Sequence, residues 1–427
     1  MAVINDLLQS VRLPPMIRVK QCFPAAAIDN VPAALRAQLR QPDIAGRVKQ
    51  DMRVAIAVGS RGMAEIPRIV KVVVEELQRR GARPFIVPAM GSHGGATAAG
   101  QKQLLASLGV TESSAGCPIV ASMEVVALGE LNNGLPVLMD QAAATADGIV
   151  VINRVKAHSA FSGTNESGLV KMLAIGLGKQ KGAAACHALG FEHMARFIVQ
   201  IARVGLQRSP VLFGIATVEN AYDRLAKLVA IPAESIIETE QELLAEAKAN
   251  MPKLFLQPVD VLIVDQMGKE FSGSGMDPHI TGRASTSCLH VGPGPNKLIV
   301  LDVSSASHGN AVGMGMADIT TRRLFSKIDF DATYTNVLTS TTLQAARIPV
   351  IMESDRMAIL AGVKTCNKLD PAAVRMVRIG NTLRLEDIFI SQSMLAEALA
   401  HPCLAIAGRP ETMVFDDAGN LTDIGCW

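Results

Sequence analysis

Residues 148–187 read GIVVINRVKAHSAFSGTNESGLVKMLAIGLGKQKGAAACH, and the rest of the chain is organised around this stretch. It opens with an apolar run over residues 148–153 that is typical of a buried strand. A glycine-rich segment follows, and histidines stand at its two ends, His158 and His187. Glycine lacks a Cβ and tolerates positive φ, so such a segment lets the backbone approach a phosphate or a flat ligand closely.

Two interpretations of the glycine-rich segment compete. It is either a helical hairpin with apolar core residues and a solvated Lys171, or a cofactor site. Lys171 lies within a small or apolar run, whereas Lys179 and Lys181 lie in a more polar patch. A lysine among apolar neighbours tends to have a depressed pKa, which makes its amine a usable nucleophile or attachment point. In such a site His187 would be a metal ligand and His158 an acid or base.

Upstream of this stretch, the sequence predicts a β–α–β unit. The expected elements are a strand at 54–58, a polar turn at 59–63, an amphipathic helix at 65–80 and a second strand at 85–88. The two strands should be parallel neighbours with a right-handed crossover.

Three polar loops should meet at one edge of the resulting sheet. They carry Arg61, His93 and His158, and each follows a predicted parallel strand. Ligands bind at the carboxyl ends of the strands in open α/β sheets, so a site is expected there. The alternative for His93 is a loop histidine that caps the next helix.

The strand pattern resumes after a helical run at 234–250 that ends near Pro252. Further strands are expected at 259–265, 298–303, 349–352 and 374–379. We therefore expect an α/β protein of two α/β domains, residues 1–251 and 252–427, with largely parallel sheets and an active-site cleft between them.

Composition excludes several classes of function. The 427 residues carry a net charge of +2 and no basic cluster, and only 4% of them are aromatic, so nucleic acid is not an expected partner. The seven cysteines are scattered singly, which argues against a zinc ribbon, an iron–sulfur cluster and a disulfide framework, and suits a reducing cytosol. No signal-peptide pattern and no apolar run of roughly 18 residues is found, so we expect a cytoplasmic protein outside the membrane.

Five positions resemble the lactate racemase family, whose members use a nickel–pincer nucleotide. The family has an arginine motif after its first strand, a Gly-Thr-His loop, a histidine before a Ser-Gly-Gly-x-Lys segment and another histidine sixteen residues beyond that lysine. The matching residues here are Arg61, His93, His158, Lys171 and His187. The order and the last spacing are the specific part of the resemblance.

The resemblance implies a role for each of these side chains. Lys171 would form a thioamide to the cofactor, a pyridinium bis-thiocarboxylate mononucleotide, and His187 would be the only protein ligand of its nickel. His93 and His158 would be the acid/base pair on opposite faces of the substrate. Arg61 would bind the substrate carboxylate or the cofactor phosphate.

Ser60 and Gly168, which lie within the matching motifs, are assigned to cofactor binding as well. The implied function is racemisation or epimerisation of a 2-hydroxy acid, by reversible hydride transfer from C2 to the cofactor through a 2-keto acid. The expected partners are a small 2-hydroxy acid and the proteins that make the cofactor, and the oligomeric state is left open.

Departures from the family pattern bear on the substrate. Val58 stands where the family usually has aspartate, Gly94 stands where it often has arginine, and Leu169 and Val170 follow the single retained glycine before the lysine. Because the polar aspartate and arginine of the family are missing, the expected substrate is a longer or polyhydroxylated acid that is held by the second domain. The candidates for its carboxylate, each of which is otherwise a surface charge, are Lys269, Arg283, Lys297 and Arg322.

Two other classes of function were weighed. An NAD-dependent enzyme would need a GxGxxG motif after the first strand, and a zinc hydrolase of the HExxH type would need that motif; the sequence has neither. A non-catalytic carrier of the cofactor would need Lys171 and His187 but tolerate loss of His93 or His158. The presence of all four favours catalysis.

Overall fold

A computed structural model describes residues 2–60 and 62–423, so Arg61 lies outside the described residues. The chain divides into two compact units. We call Pro24–Met251 the central unit, and Met1–Phe23 together with Pro252–Trp427 the terminal unit.

The strands of the described residues are, in chain order, β1 (Met16–Gln21), β2 (Arg53–Val58), β3 (Arg83–Pro88), β4 (Val125–Glu130), β5 (Pro136–Asp140), β6 (Gly148–Arg154), β7 (Val211–Glu219), β8 (Leu225–Pro232), β9 (Val261–Met267), β10 (Lys297–Val303), β11 (Ile319–Thr321), β12 (Val350–Met352), β13 (Met376–Ile379), β14 (Asp387–Ser391) and β15 (Leu404–Ile406).

The α-helices are α1 (Ala2–Leu8), α2 (Val31–Leu39), α3 (Pro42–Ala45), α4 (Ile66–Arg79), α5 (Ala98–Ser107), α6 (Glu112–Ala115), α7 (Gln141–Ala144), α8 (Leu169–Lys171), α9 (Lys179–His187), α10 (Met194–Arg208), α11 (Ile236–Asn250), α12 (Pro278–Thr281), α13 (Arg322–Ser326), α14 (Phe330–Ser340), α15 (Asp355–Thr365) and α16 (Leu395–Ala400). A π-helical turn, Met172–Gly176, joins the end of α8 to the approach to α9. Short 3₁₀ turns are Gly94–Ala96, Phe191–His193, Ala233–Ser235, Ser305–Ser307, Met314–Met316, Leu343–Ala346, Pro371–Ala373 and Gln392–Met394.

The central unit is built on a five-stranded sheet in the order β3-β2-β6-β7-β8. The first four strands are parallel, and β8 is antiparallel to β7. In register, Ile56 of β2 pairs with Ile86 of β3 and with Val150 of β6. All three are fully buried, as expected for parallel strands covered on both faces. The predicted β–α–β unit is confirmed.

Helix α4 shows why this unit folds as the sequence predicts. Its apolar residues recur every three or four positions, and Ile69, Val70, Val73 and Leu77 are all buried in the core of the central unit. Gly81 follows the helix with φ 78°, a left-handed conformation that favours glycine and turns the chain into β3.

The terminal unit contains an eight-stranded mixed sheet in the order β12-β11-β10-β9-β13-β14-β1-β15. Neighbours from β12 to β13 are parallel, and neighbours from β13 to β15 are antiparallel. The α/β class is thus confirmed in each unit, although half of this sheet departs from the expected parallel arrangement. The antiparallel strands are short and lie between turns, so their order could not be read from the sequence.

The expected first domain began at residue 1, whereas residues 1–23 belong to the terminal unit. The physical reason is strand pairing: β1 lies between β14 and β15 and hydrogen-bonds to both, so it fills a place in the terminal sheet. The other expected boundary, at Pro252, coincides with a division between the units. No helix in the described part of the chain is long and apolar enough to span a bilayer.

Candidate functional site

The lysine amine and the first histidine of the glycine-rich stretch are in direct contact. His158 lies on the loop after β6, and Lys171 is the last residue of α8. The Nζ atom of Lys171 lies 2.6 Å from Nε2 of His158. The expectation that Lys171 is a solvated surface charge therefore does not hold, because its amine is hydrogen-bonded and half-buried.

A backbone amide determines the direction of this hydrogen bond. The N–H of Ala160 donates to Nδ1 of His158 at 3.0 Å. A neutral imidazole has one accepting and one donating nitrogen, so with Nδ1 as acceptor the proton resides on Nε2. Nε2–H then donates to the lone pair of Lys171, which an ammonium does not have. In this tautomer Lys171 is the acceptor, a role that only an unprotonated amine can take.

The second histidine of the stretch ends α9 and has an unused polar atom. The Nδ1 atom of His187 is buried and has no hydrogen-bond partner. Burial lowers the pKa of His187 to about 4, and any positive charge on Lys171 acts in the same direction. The imidazole is therefore neutral at pH 7, which is the form that binds a metal.

Two phenylalanines link the two histidines. The ring of Phe161 stacks on His158 at a centroid distance of 4.3 Å. Phe191 lies 5.5 Å from His187 and 6.2 Å from His158. The four rings pack together beside the amine of Lys171. This packing fixes the two imidazoles and limits the access of water to the amine. Sequence reasoning missed both phenylalanines, because nothing in their spacing distinguishes them from core residues.

The loops after β2 and β3 bring Ser60 and His93 together. The Ser60 hydroxyl is hydrogen-bonded to Nδ1 of His93, whose side chain is exposed. Both loops contact the helical segment after Lys171. The N–H of Gly91 donates to the carbonyl of Gly176 at 3.1 Å, and a Cβ on Gly59 would lie 2.9 Å from the side chain of Met172. Ser60, His93 and His158, which follow the parallel strands β2, β3 and β6, thus lie at one edge of the central sheet.

Gly168 is required by packing against a buried carboxylate. A Cβ at this position would collide with the side chain of Glu240, which comes from α11. The N–H of Val170 donates to Oε2 of Glu240 at 3.0 Å, and the amide of Asn165 donates to Oε1 at 3.2 Å. Burial raises the pKa of Glu240 to about 7. This carboxylate caps the first turn of the helix that carries Lys171.

A second buried carboxylate, Glu166, shapes the loop that carries His158. It accepts hydrogen bonds from the N–H groups of His158 at 2.7 Å and Gly163 at 3.1 Å, and forms an ion pair with Lys248 at 2.7 Å. Neither Glu166 nor Glu240 was predicted. Glu166 stands directly before Ser167-Gly168 in the sequence. Its partner Lys248 lies several elements further along the chain, so the local sequence does not reveal the ion pair.

Lys179 is not in a polar patch, as its neighbours in sequence suggested. It is completely buried, and its amine forms an ion pair with the equally buried Asp140 at 3.1 Å. Burial lowers the pKa of Lys179. Polar neighbours in sequence do not determine which way a side chain points at the start of a helix.

The four cations proposed for a substrate carboxylate do not form one cluster. Lys269 follows the carboxyl end of β9 and donates to the carbonyl of Gly273 at 2.5 Å. Lys297 begins the parallel strand β10, so it lies at the opposite edge of the terminal sheet. Arg283 shares the Asn296 carbonyl with it and forms an ion pair with Asp318. Arg322 lies at the start of α13 and pairs with Glu353 at 3.0 Å.

Among the described residues, no group of three or more His, Cys, Asp or Glu side chains is arranged to hold a metal ion. His187 by itself supplies one ligand, so a metal at this site would need its other ligands from a bound molecule. Together the contacts define the site as an amine and two imidazoles at the carboxyl edge of a parallel sheet.

Comparison with known proteins finds a family model that matches the first part of the chain. Residues 10–197 match the model of the lactate racemase N-terminal domain. This match confirms the resemblance to the lactate racemase family seen in the sequence.

Two solved structures are similar to the chain. One is the crystal structure of a protein from Thermotoga maritima, with 13% identity, a TM-score of 0.45, and coverage of 64% of this chain and 70% of that one. The other is the lactate racemase apoprotein from Thermoanaerobacterium thermosaccharolyticum, with 12% identity, a TM-score of 0.46, and coverage of 79% and 87%. Among curated proteins no significant match is found.

Proposed function

We propose that the chain is an isomerase, a racemase or epimerase of a 2-hydroxy acid, that works with a nickel–pincer nucleotide attached covalently to Lys171. The observation that carries this proposal is the neutral pairing of the Lys171 amine with His158 beside a second, neutral imidazole, His187. The family match over residues 10–197 supports the reaction class.

The residues present fit the proposed group. Lys171 offers a neutral amine for the thioamide bond, and His187 offers an imidazole whose buried Nδ1 has no protein partner. Imidazole is a ligand that suits nickel. When bound, the cofactor would accept the C2 hydride of the substrate and return it.

The two remaining histidines would exchange the proton of the substrate hydroxyl. Once the amine of Lys171 is bonded to the cofactor, it no longer accepts a hydrogen bond from Nε2 of His158. To act as the base, the ring would release the N–H of Ala160 and carry its proton on Nδ1, so that Nε2 accepts the hydroxyl proton. His93 would serve the opposite face, with its ring held at Nδ1 by Ser60. Neutral imidazoles titrate near physiological pH, which this proton exchange requires. Phe161 and Phe191 would keep water from the keto-acid intermediate.

Other assignments remain part of the proposal. Arg61 would bind the substrate carboxylate or the cofactor phosphate, and Ser60 and Gly168 would contribute to the cofactor site. Lys269 and Arg322, which follow the carboxyl ends of β9 and β11, would be the candidates for the far end of a longer acid. Arg283 and Lys297 lie at the opposite edge of that sheet and would not reach the same carboxylate. The partners would be the acid and the proteins that synthesise the cofactor, in the cytoplasm.

Peptide mapping and intact mass test the attachment. In cells that synthesise the cofactor, the wild-type protein should carry an adduct on Lys171 and one nickel per chain, and Lys171→Arg should carry neither. Lys181→Arg is the matched control, since Lys181 lies exposed in the same segment. Its adduct should equal that of the wild type. An unmodified Lys171 in such cells would contradict the proposal.

A further inference from the structure

A buried lysine that the proposed reaction does not use connects two parts of the site. Lys179 begins α9 and has φ 53°, a left-handed conformation that residues other than glycine rarely adopt. Its amine donates to the carbonyl of Pro88 at 2.6 Å and to Oε1 of Gln101 at 3.1 Å, and pairs with Asp140 at 3.1 Å. Backbone of this kind persists only where surrounding contacts hold it, and such residues cluster at functional sites.

Gln101 connects Lys179 to the loop that carries His93. This residue of α5 is completely buried, and its Nε2 donates to the carbonyl oxygens of Gly91 at 2.9 Å and His93 at 3.3 Å. An ammonium can only donate, so Lys179 forces the amide oxygen of Gln101 to face it. The amide N–H groups must then face the loop. Lys179 thereby sets the orientation in which Gln101 holds His93.

The same helical segment touches the loop by its backbone as well. The N–H of Gly91 donates to the carbonyl of Gly176, and the N–H of Asp140 donates to the carbonyl of Leu177 at 2.7 Å. Asp140 in turn caps α7 by accepting from the N–H of Ala143. The segment that carries Lys171 and His187 and the loop that carries His93 are therefore held in one hydrogen-bonded network.

We propose that Lys179 and Gln101 are positioning residues for His93, which fix its loop against the segment that would carry the cofactor. The inference rests on the proposed function for its catalytic meaning, since His93 is an acid/base only in that reaction. Its structural content, that the Lys179–Gln101 pair holds the backbone of the His93 loop, rests on the contacts alone.

Gln101→Glu separates positioning from simple core stability. A carboxylate still accepts from Lys179, but it cannot donate to the carbonyls of Gly91 and His93. Gln101→Asn, a shorter amide, is the second variant if the first fails to fold. Gln38→Glu is the matched control, because Gln38 uses only its Oε1, which accepts from the N–H of Ala230, and a carboxylate keeps that acceptor.

The first measurement uses the cofactor-free protein and diethyl pyrocarbonate, with peptide-resolved mass spectrometry at several pH values. We expect carbethoxylation of His93 to be about tenfold faster in the Gln101 variants, the size of effect that loss of hydrogen bonds produces. The pH profile of His93 should also shift, because the ring leaves Ser60. His193, which is exposed, is the reference in the same digest. An unchanged His93 rate and profile in a folded Gln101 variant would overturn the inference.

The second measurement uses the cofactor-loaded enzyme. A misplacement of about 1 Å can cost about a hundredfold in rate, so kcat should fall by about that factor in Gln101→Glu while KM and the adduct on Lys171 stay unchanged. A fall in adduct instead of kcat would overturn the positioning role. If His93 reactivity changes while the loaded wild-type protein isomerises no 2-hydroxy acid, the proposed function fails and the positioning inference stands.

Discussion

The reactivity of single side chains in this protein depends on which neighbour holds each polar atom. Ala160 donates to Nδ1 of His158, and with that nitrogen occupied the hydrogen bond from Nε2 to Lys171 requires an unprotonated amine. His187 is kept neutral by burial and has a nitrogen without a partner. Neither effect needs a large electrostatic field.

A selective labelling experiment tests the neutral amine. In the cofactor-free protein at pH 7, acetic anhydride should label Lys171 at least about tenfold faster than the exposed Lys181, since only the unprotonated amine reacts. The advantage should disappear in His158→Ala. Equal labelling of the two lysines in the wild-type protein, measured by peptide mass, would refute the assigned direction of the hydrogen bond.

The lowered pKa of His187 predicts how stability changes with pH. Folding depresses this pKa from 6.5 to about 4, so the unfolded chain binds the proton more readily. This stability is fully present above pH 6.5 and is lost as the pH falls toward 4. Urea unfolding should show that lowering the pH from 7 to 5 costs about 2 kcal/mol less in His187→Leu than in the wild type. An identical loss in both proteins would contradict the burial of a neutral imidazole.

At the scale of secondary-structure elements, α8 is too short to hold Lys171 in place by itself. It has three residues before the chain enters a π-helical turn. Glu240 of α11 caps its first turn, and Gly168 lets the two elements approach. The position of the reactive amine is therefore set by a helix that lies about seventy residues later in the sequence.

A methyl group at Gly168 tests this contact between elements. Gly168→Ala should lose about 1–3 kcal/mol of stability, because the added Cβ collides with the Glu240 carboxylate. Gly62→Ala is the control, since nothing lies within 4 Å of a Cβ built there. Denaturant unfolding measures both variants. A Gly168→Ala protein as stable as the control would show that the two elements pack less closely than described.

At the scale of the whole molecule, the site draws on loops that follow three parallel strands of the central sheet, β2, β3 and β6. The terminal unit has its own mixed sheet, into which the first strand of the chain is inserted. The architecture thus places every residue of the amine–imidazole site in the central unit.

Activity measurements on the loaded enzyme test the reaction as a whole. His93→Ala should abolish isomerisation while the nickel content stays that of the wild type, because His93 is not the proposed metal ligand. His158→Ala should abolish isomerisation too, but with less adduct and less nickel, because it also removes the partner of the Lys171 amine. The C2 hydrogen should not exchange with solvent, since it moves as hydride. Full turnover by both variants would eliminate the base roles, and solvent exchange would argue against hydride transfer.

The sequence by itself determined the local elements and which polar side chains follow the strand ends. Apolar periodicity predicted β2, α4, β3 and β6 to within two residues of their observed ends, because each buries its own apolar pattern. The carboxyl ends of parallel strands lie at one edge of a sheet, so the sequence also predicted that the loops bearing His93 and His158 lie together at that edge.

Only the tertiary structure decided which neighbours tune those groups. Glu166, Glu240, Phe191 and the buried pair of Lys179 with Asp140 carry no local pattern that separates them from surface charges or ordinary core. Residues 1–23 belong to the terminal unit, and no local pattern in that segment predicts this. Local sequence encodes which face of an element is apolar, whereas pKa values and hydrogen-bond directions depend on groups that only the folded chain brings within a few ångströms.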